Sequence, residues 1–163
     1  MARKTAQPTP AVVALRRAGV AYTLHPYDHD ASVRAYGMEA ADALGIPPEV
    51  IFKTLLGQAD DGLCVAVVPV STTLDLKALA AELGQKRIRM ADPADAERAT
   101  GYVVGGISPL GARRRLPTVV DESALRHTTI YVSGGRRGLQ VALAPSDLIR
   151  LCDAKTARVS TPS

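Results

Sequence analysis

Apolar positions run along this chain in alternating rhythms, some helical and some extended, with proline and glycine marking the changes. Pro10 opens an amphipathic segment through Val12, Val13, Leu15 and Arg16 that stops at Gly19. This predicts a helix with proline in its first turn and glycine at its C-terminal cap. Ala21-Tyr22-Thr23-Leu24 alternates and predicts a short strand; Met38 to Leu44 predicts a helix closed by Gly45, and Pro47-Pro48-Glu49 turns the chain into an extended run, Val50 to Leu56. Asp61-Gly62 predicts a hairpin turn. Leu63 to Val70 is almost continuously apolar, the pattern of a strand buried on both faces near the middle of a sheet.

Further on, Asp75 to Leu83 predicts a helix followed by Gly84, Ile88 to Met90 a short strand, and Asp92-Pro93 the start of a helix ending near Gly101. Strands are expected at Thr118 to Val120, Thr129 to Val132 and Leu139 to Leu143, and a last helix at Pro145 to Leu151. Residues 1–8 and 155–163 show no such pattern and are expected to fray. Hairpins mixed with helix-bearing crossovers predict an α+β fold around a curved, mixed sheet rather than a doubly wound parallel one. No internal repeat breaks the chain, so we expect one domain over 1–163, with its core at about 10–157.

Composition agrees with a self-sufficient core. A chain of 163 residues can bury roughly 68–70% of its extended surface without disulfide or metal. With 47% hydrophobic residues, 4% aromatic and no Trp, that core is aliphatic. No apolar run reaches the roughly 18–20 residues of a membrane span, and Met1-Ala2-Arg3-Lys4 leads into a polar segment without a signal core, so a cytoplasmic protein is expected. Cys64 and Cys152 both lie in apolar or amphipathic runs and read as buried hydrophobes rather than a disulfide or a nucleophile. His25 and His29 are separated by Pro26 and His127 is isolated, so no metal site is expected.

Three features break the apolar rhythm. Lys53 sits inside Val50-Ile51-Phe52-Lys53-Thr54-Leu55-Leu56. It must either carry its ammonium to water over a buried stem or aim it at a partner, because a buried unpaired charge costs several kcal/mol. Two glycine-rich elements follow, Gly105-Gly106-Ile107-Ser108-Pro109 and Ser133-Gly134-Gly135-Arg136-Arg137-Gly138. A loop of the first kind can expose several backbone N–H groups and let a ligand approach closely. Its spacing matches neither the dinucleotide fingerprint nor a P-loop. The positive charge, +4 overall, is clustered at Arg113-Arg114-Arg115, Arg136-Arg137 and Lys86-Arg87 with Arg89. Such clusters are solvated faces or phosphate-binding surfaces; placement of the first two beside the glycine loops favours RNA binding over a merely solvated face.

With these residues in view, the chain resembles the YbaK/EbsC family of Cys-tRNA(Pro) deacylases. The resemblance is carried in order by Phe52-Lys53-Thr54-Leu55-Leu56, Leu74-Asp75-Leu76-Lys77, Met90-Ala91-Asp92-Pro93, the string from Thr100 to Gly111, Arg115-Leu116-Pro117-Thr118, and Ile130 to Leu139. It implies a barrel-like curved sheet flanked by helices, and a free-standing trans-editing enzyme related to the editing domain of bacterial prolyl-tRNA synthetases. Its task would be to remove cysteine mischarged on tRNA(Pro), and from Cys-tRNA(Cys) as an extension. The implied partners are mischarged tRNA and prolyl-tRNA synthetase, with no cofactor, no DNA and no membrane.

The family mechanism implied is substrate-assisted, the cysteine thiol attacking its own ester carbonyl and leaving as a cyclic thiolactone. Carried over, Lys53 with Gly105 and Gly106 are the catalytic positions, and Tyr27, Tyr36, Thr54, Ile107, Ser108, Pro109, Ser133 and Gln140 join them around the substrate. Arg113, Arg114, Arg115, Arg136 and Arg137 are the candidate RNA contacts. Well-known bacterial members carry aspartate at the position of Gln140 and phenylalanine at that of Tyr36. Two alternatives stand beside this reading: a deacylase for another small amino acid such as alanine, and a non-catalytic tRNA- or synthetase-binding adaptor.

Overall fold

The computed structural model describes residues 7–30, 32 and 35–163. The helices start and stop where small local devices satisfy their free backbone groups. In α1 (Pro10–Ala18), Thr9 caps the first turn by accepting from the Val12 N–H, and Gly19 closes the end in the left-handed conformation at φ 69°. Gly45 and Gly101 end α2 (Tyr36–Leu44) and α4 (Pro93–Thr100) in the same way. Asp75 caps α3 (Leu76–Glu82) through the Ala78 N–H, and Pro145 stands in the first turn of α5 (Pro145–Leu151).

The strands form three sheets. The largest has five strands in the order β5 (Ile88–Met90), β2 (Phe52–Ala59), β3 (Gly62–Pro69), β6 (Thr118–Asp121), β9 (Lys155–Ala157). The β5–β2 and β2–β3 pairs are antiparallel; β3–β6 and β6–β9 are parallel. The apolar run of β3 is thus the third of five strands, and Ala66, Val67 and Val68 are fully buried. Val67 faces one cluster, with Phe52, Val120 and Leu148; Ala66 and Val68 face another, with Leu79, Val119 and Val159. A strand so placed has no polar side, which is why its sequence does not alternate.

A three-stranded antiparallel sheet, in the order β1 (Tyr22–Pro26), β8 (Leu139–Leu143), β7 (Ile130–Ser133), packs against the first cluster, and Ile51 bridges Tyr131 to join its rim to β2. A third sheet is a two-stranded ribbon, β4 (Thr72–Leu74) with β10 (Ser160–Pro162). The mixed α+β class holds, but the sheets do not close into a barrel: the edge of β2 is paired only in part.

The expected fraying at 155–163 is corrected by β9 and β10. Val159 is fully buried, its N–H donates to Asp121 Oδ1 at 2.9 Å, and its carbonyl accepts from the Asp75 N–H at 2.7 Å. One apolar residue between two three-residue polar strands carries no period to read. The frayed start expected at 1–8 falls mostly on residues outside those described; Gln7 and Pro8 lie outside any element.

Candidate active site

The pocket begins as a gap in a sheet. Gly57, Gln58 and Ala59 of β2 pair with β5, and Ile51, on the same edge, bridges β7. Between them residues 52–56 pair with β3 on one side and have no ladder partner on the other among the described residues. Here lies a cavity of about 430 Å³, walled by Ile51–Leu56, by the start of α2 at Tyr36 and Gly37, by Met90 at the end of β5 and Ala91 after it, and by Val104, Gly105 and Ile107. Tyr27, Ser133 and Gln140 complete the wall from the three-stranded sheet side. The volume lies within the range of small-molecule sites.

Lys53 is half-buried, and its Nζ donates to the Thr72 carbonyl of β4 at 2.7 Å. No carboxylate lies within ion-pair distance of it among the described residues. Burial without a counter-charge holds its pKa below the usual lysine value. The ammonium is therefore oriented but not neutralised, with two of its three protons left for other acceptors.

Gln140 is the second polar interruption of an apolar strand. All five residues of β8 are buried, Gln140 at 7% exposure, and its Oε1 has no hydrogen-bond partner among the described residues. Thr54 Oγ1 is likewise buried and unpartnered. Both residues line the cavity, and an unpaired buried acceptor costs about 1–3 kcal/mol. Neither atom reaches solvent, so each would need a small side-chain movement to meet a donor on a ligand.

The two glycine loops pack on each other. A Cβ on Gly106 would lie 2.8 Å from Arg136 Cα and 2.9 Å from Arg137 N, so only glycine lets these backbones meet. The Gly106 N–H is already given to the Val103 carbonyl at 2.8 Å. The loop was expected to present its N–H groups together; instead Gly105 and Ile107 line the cavity, whereas Gly106, Ser108 and Pro109 do not. Ser108 is buried, its Oγ accepting from the Leu110 N–H at 3.2 Å. Gly105, at φ 91°, has no acceptor for its own N–H among the described residues.

The basic residues divide. Arg113, Arg114, Arg115 and Arg136 are exposed, and Arg115 reaches only a 4.0 Å contact with Asp153. Arg137 turns inward: Nε and one terminal nitrogen both donate to the Val104 carbonyl, at 2.9 and 2.6 Å, and its guanidinium lies 4.7 Å from the centre of the Tyr36 ring. His25 bonds Thr23 and His29 bonds Glu39, each at 2.7 Å, so the two rings serve separate partners. Burial raises both thiols, that of Cys152 to about 12. Sequence reasoning found Tyr27, Tyr36, Lys53, Thr54, Gly105, Ile107, Ser133 and Gln140 on the wall; it missed Gly37, Val70, Met90, Ala91 and Pro93, ordinary residues at the ends of elements.

Comparison with known proteins gives this pocket a context. A family model described as an aminoacyl-tRNA editing domain matches residues 31–151. EbsC of Enterococcus faecalis, assigned as a Cys-tRNA(Pro)/Cys-tRNA(Cys) deacylase, is 41% identical over 122 residues, covering 74% of each chain. A stretch of the proline–tRNA ligase of Thermosipho africanus is 28% identical over 97 residues, which is 60% of this chain and 17% of the ligase. Among solved structures, one described as a trans-editing enzyme for prolyl-tRNA synthetase superposes with a TM-score of 0.80 at 27% identity, covering 93% of this chain and 95% of that one.

Proposed function

The chain belongs to the family of aminoacyl-tRNA editing domains, and from that premise we propose that it is a trans-editing deacylase that removes cysteine mischarged on tRNA(Pro). The observation that carries the reading is a cavity whose wall combines the half-buried cation Lys53 with the polar residues Thr54 and Gln140. An aminoacyl ester answers both features. Its protonated amine donates to Gln140 and Thr54, and its carbonyl oxygen, which gains charge during reaction, faces the donors.

Cysteine needs no protein nucleophile in this site. Its thiol attacks its own carbonyl carbon, a C–S bond forms, the bond to the ribose oxygen breaks, and the thiol proton ends on that oxygen as the thiolactone leaves. The protein's part is to hold the ester folded for attack and to stabilise the tetrahedral oxyanion. Lys53 keeps one proton on Thr72 and offers the others; the free Gly105 N–H is a second donor. Tyr27, Tyr36, Ile107 and Ser133 bound the side-chain space. Gly106, Ser108 and Pro109 act behind the wall, by shaping the loop. Gln140 offers the amine a neutral acceptor, roughly half as strong as a carboxylate.

Selection against cysteine by size alone separates near-isosteres by only roughly 1–3 kcal/mol, which is why a second sieve is useful. The exposed Arg113, Arg114, Arg115 and Arg136 would meet tRNA phosphates, with prolyl-tRNA synthetase as the partner that would supply mischarged tRNA in the cytoplasm. The test is deacylation of Cys-, Ser-, Ala- and Pro-tRNA sharing one tRNA(Pro) body. Cys-tRNA is expected to be cleared far faster than Ser-tRNA, since a hydroxyl is the poorer nucleophile at neutral pH. Equal rates for cysteine and serine would remove the thiolactone route, and no activity on any of the four would remove the enzyme reading.

A further inference from the structure

Of the two neighbouring arginines in the second glycine loop, only Arg136 faces solvent; Arg137 spends its guanidinium on the first loop. We propose that Arg137 is a positioning residue that aims and strengthens the Gly105 N–H as an oxyanion donor. This rests on the deacylase reading above and goes beyond it by giving a residue outside the cavity wall a role in the chemistry.

The link is the peptide plane. The Val104 carbonyl and the Gly105 N–H belong to one planar unit, and in a trans peptide they point in opposite directions. Two N–H groups of Arg137 grip that carbonyl, at 2.9 and 2.6 Å, and a fork of this kind fixes direction where a single donor would leave a swivel. Holding the oxygen from one side therefore fixes the N–H on the other, and Gly105 stands on the cavity wall. A cation at the oxygen also draws electron density through the amide and makes its N–H the stronger donor, the polarisation that runs along hydrogen-bond chains.

The arginine is itself held. Its guanidinium stacks 4.7 Å from the centre of the Tyr36 ring, and a Cβ on Gly105 would lie 2.6 Å from Arg137 Nε and 3.1 Å from two carbons of that ring. Gly106 lies against the Arg136–Arg137 backbone, and its N–H is given to Val103. The Gly105 N–H itself has no acceptor among the described residues.

The test sets Arg137→Lys and Arg137→Ala against the parent on two substrates: Cys-tRNA(Pro), and a cysteinyl ester of adenosine that carries no phosphate. A lysine keeps the charge but has neither the fork nor the flat face. Both variants are expected to lose roughly 10- to 100-fold in kcat, by the same factor on both substrates, with KM on tRNA and its salt dependence unchanged. Amide NMR supplies a readout independent of turnover: the Val104 carbonyl carbon and Gly105 nitrogen resonances should move in Arg137→Lys. Parental activity and unmoved resonances in a folded Arg137→Lys would overturn the proposal. So would a defect confined to the tRNA substrate, with raised KM and a flattened salt slope, since it would make Arg137 a phosphate contact. A parent inactive on both esters would refute the deacylase reading instead, and the resonances would still decide whether Arg137 governs the Gly105 amide.

Discussion

Replacing Gly106 by alanine puts one methyl group between the two glycine loops. Its carbon would lie 2.8 Å from Arg136 Cα and 2.9 Å from Arg136 C and Arg137 N, against 3.4 Å or more for ordinary contact. The neighbours are backbone atoms and cannot swing aside, so the loops must part by about 0.6 Å. Gly106 is not in the left-handed region, and the cost is therefore one of crowding and not of backbone strain. Overpacking of this kind costs about 1–3 kcal/mol, or a melting temperature lower by roughly 3–9 °C in a chain of this size. The same movement displaces Gly105, and since a shift of about 1 Å at a reacting group can cost about 10²-fold, a loss in kcat of about 10-fold or more is expected. Thermal melts and single-turnover deacylation of Cys-tRNA(Pro) measure the two effects. Gly19→Ala is the control: its φ of 69° brings about 1–2 kcal/mol of strain but open space surrounds it, so it should lower the melting point and leave turnover alone. A Gly106→Ala protein with parental stability and turnover would refute the packing argument; a change in KM alone would return Gly106 to direct contact with substrate.

Lys53→Ala should stay folded and lose about 10²- to 10³-fold in deacylation; activity within a few-fold of the parent would make Lys53 a strand residue and nothing more. Because burial lowers the Lys53 pKa, its ammonium is present below that value and lost as pH rises through it. The alkaline fall in kcat should therefore come below the ordinary lysine value of about 10.4 and be absent in any active Lys53→Arg variant. Cys152, pushed up to about 12, and Cys64, also raised, should resist a thiol reagent at neutral pH until urea unfolds the chain, and the double alanine variant should keep turnover. Neutralising Arg113, Arg114 or Arg136 should weaken tRNA binding and reduce its logarithmic salt slope by about 0.7–0.9 per lost phosphate contact, while an unchanged slope would return that residue to the solvated surface.

Much of the fold is legible because its signals are local. Pro10 and Gly19 bracket α1, Asp75 and Asp92 stand at helix starts, and the unbroken apolar run of β3 announces a strand covered on both faces. The strands β9 and β10 have no such signal; their partners are β6 and β4, far back in the chain, and each has three residues. The site divides in the same way. Lys53 betrays itself as a polar residue in an apolar run, whereas Gln140 comes into view only through the family resemblance. Met90, Ala91 and Val70 are wall only because two sheets leave a gap beside them, and nothing in their type says so. Arg136 and Arg137 are the same residue twice, and only the path of the hairpin loop decides which turns inward.

The gap along β2 has a consequence for how this pocket can change over evolutionary time. Its wall includes residues 52–56, where one edge of β2 has no ladder partner among the described residues, and a point mutation cannot remove a peptide group. Side chains that set the size and polarity of the space stand on separate supports: Thr54 on β2, Tyr36 on α2 and Gln140 on β8. Each can be exchanged with little disturbance to the other two. A lineage can therefore revise which amino acid it accepts through single substitutions while the backbone portion passes unaltered to every descendant.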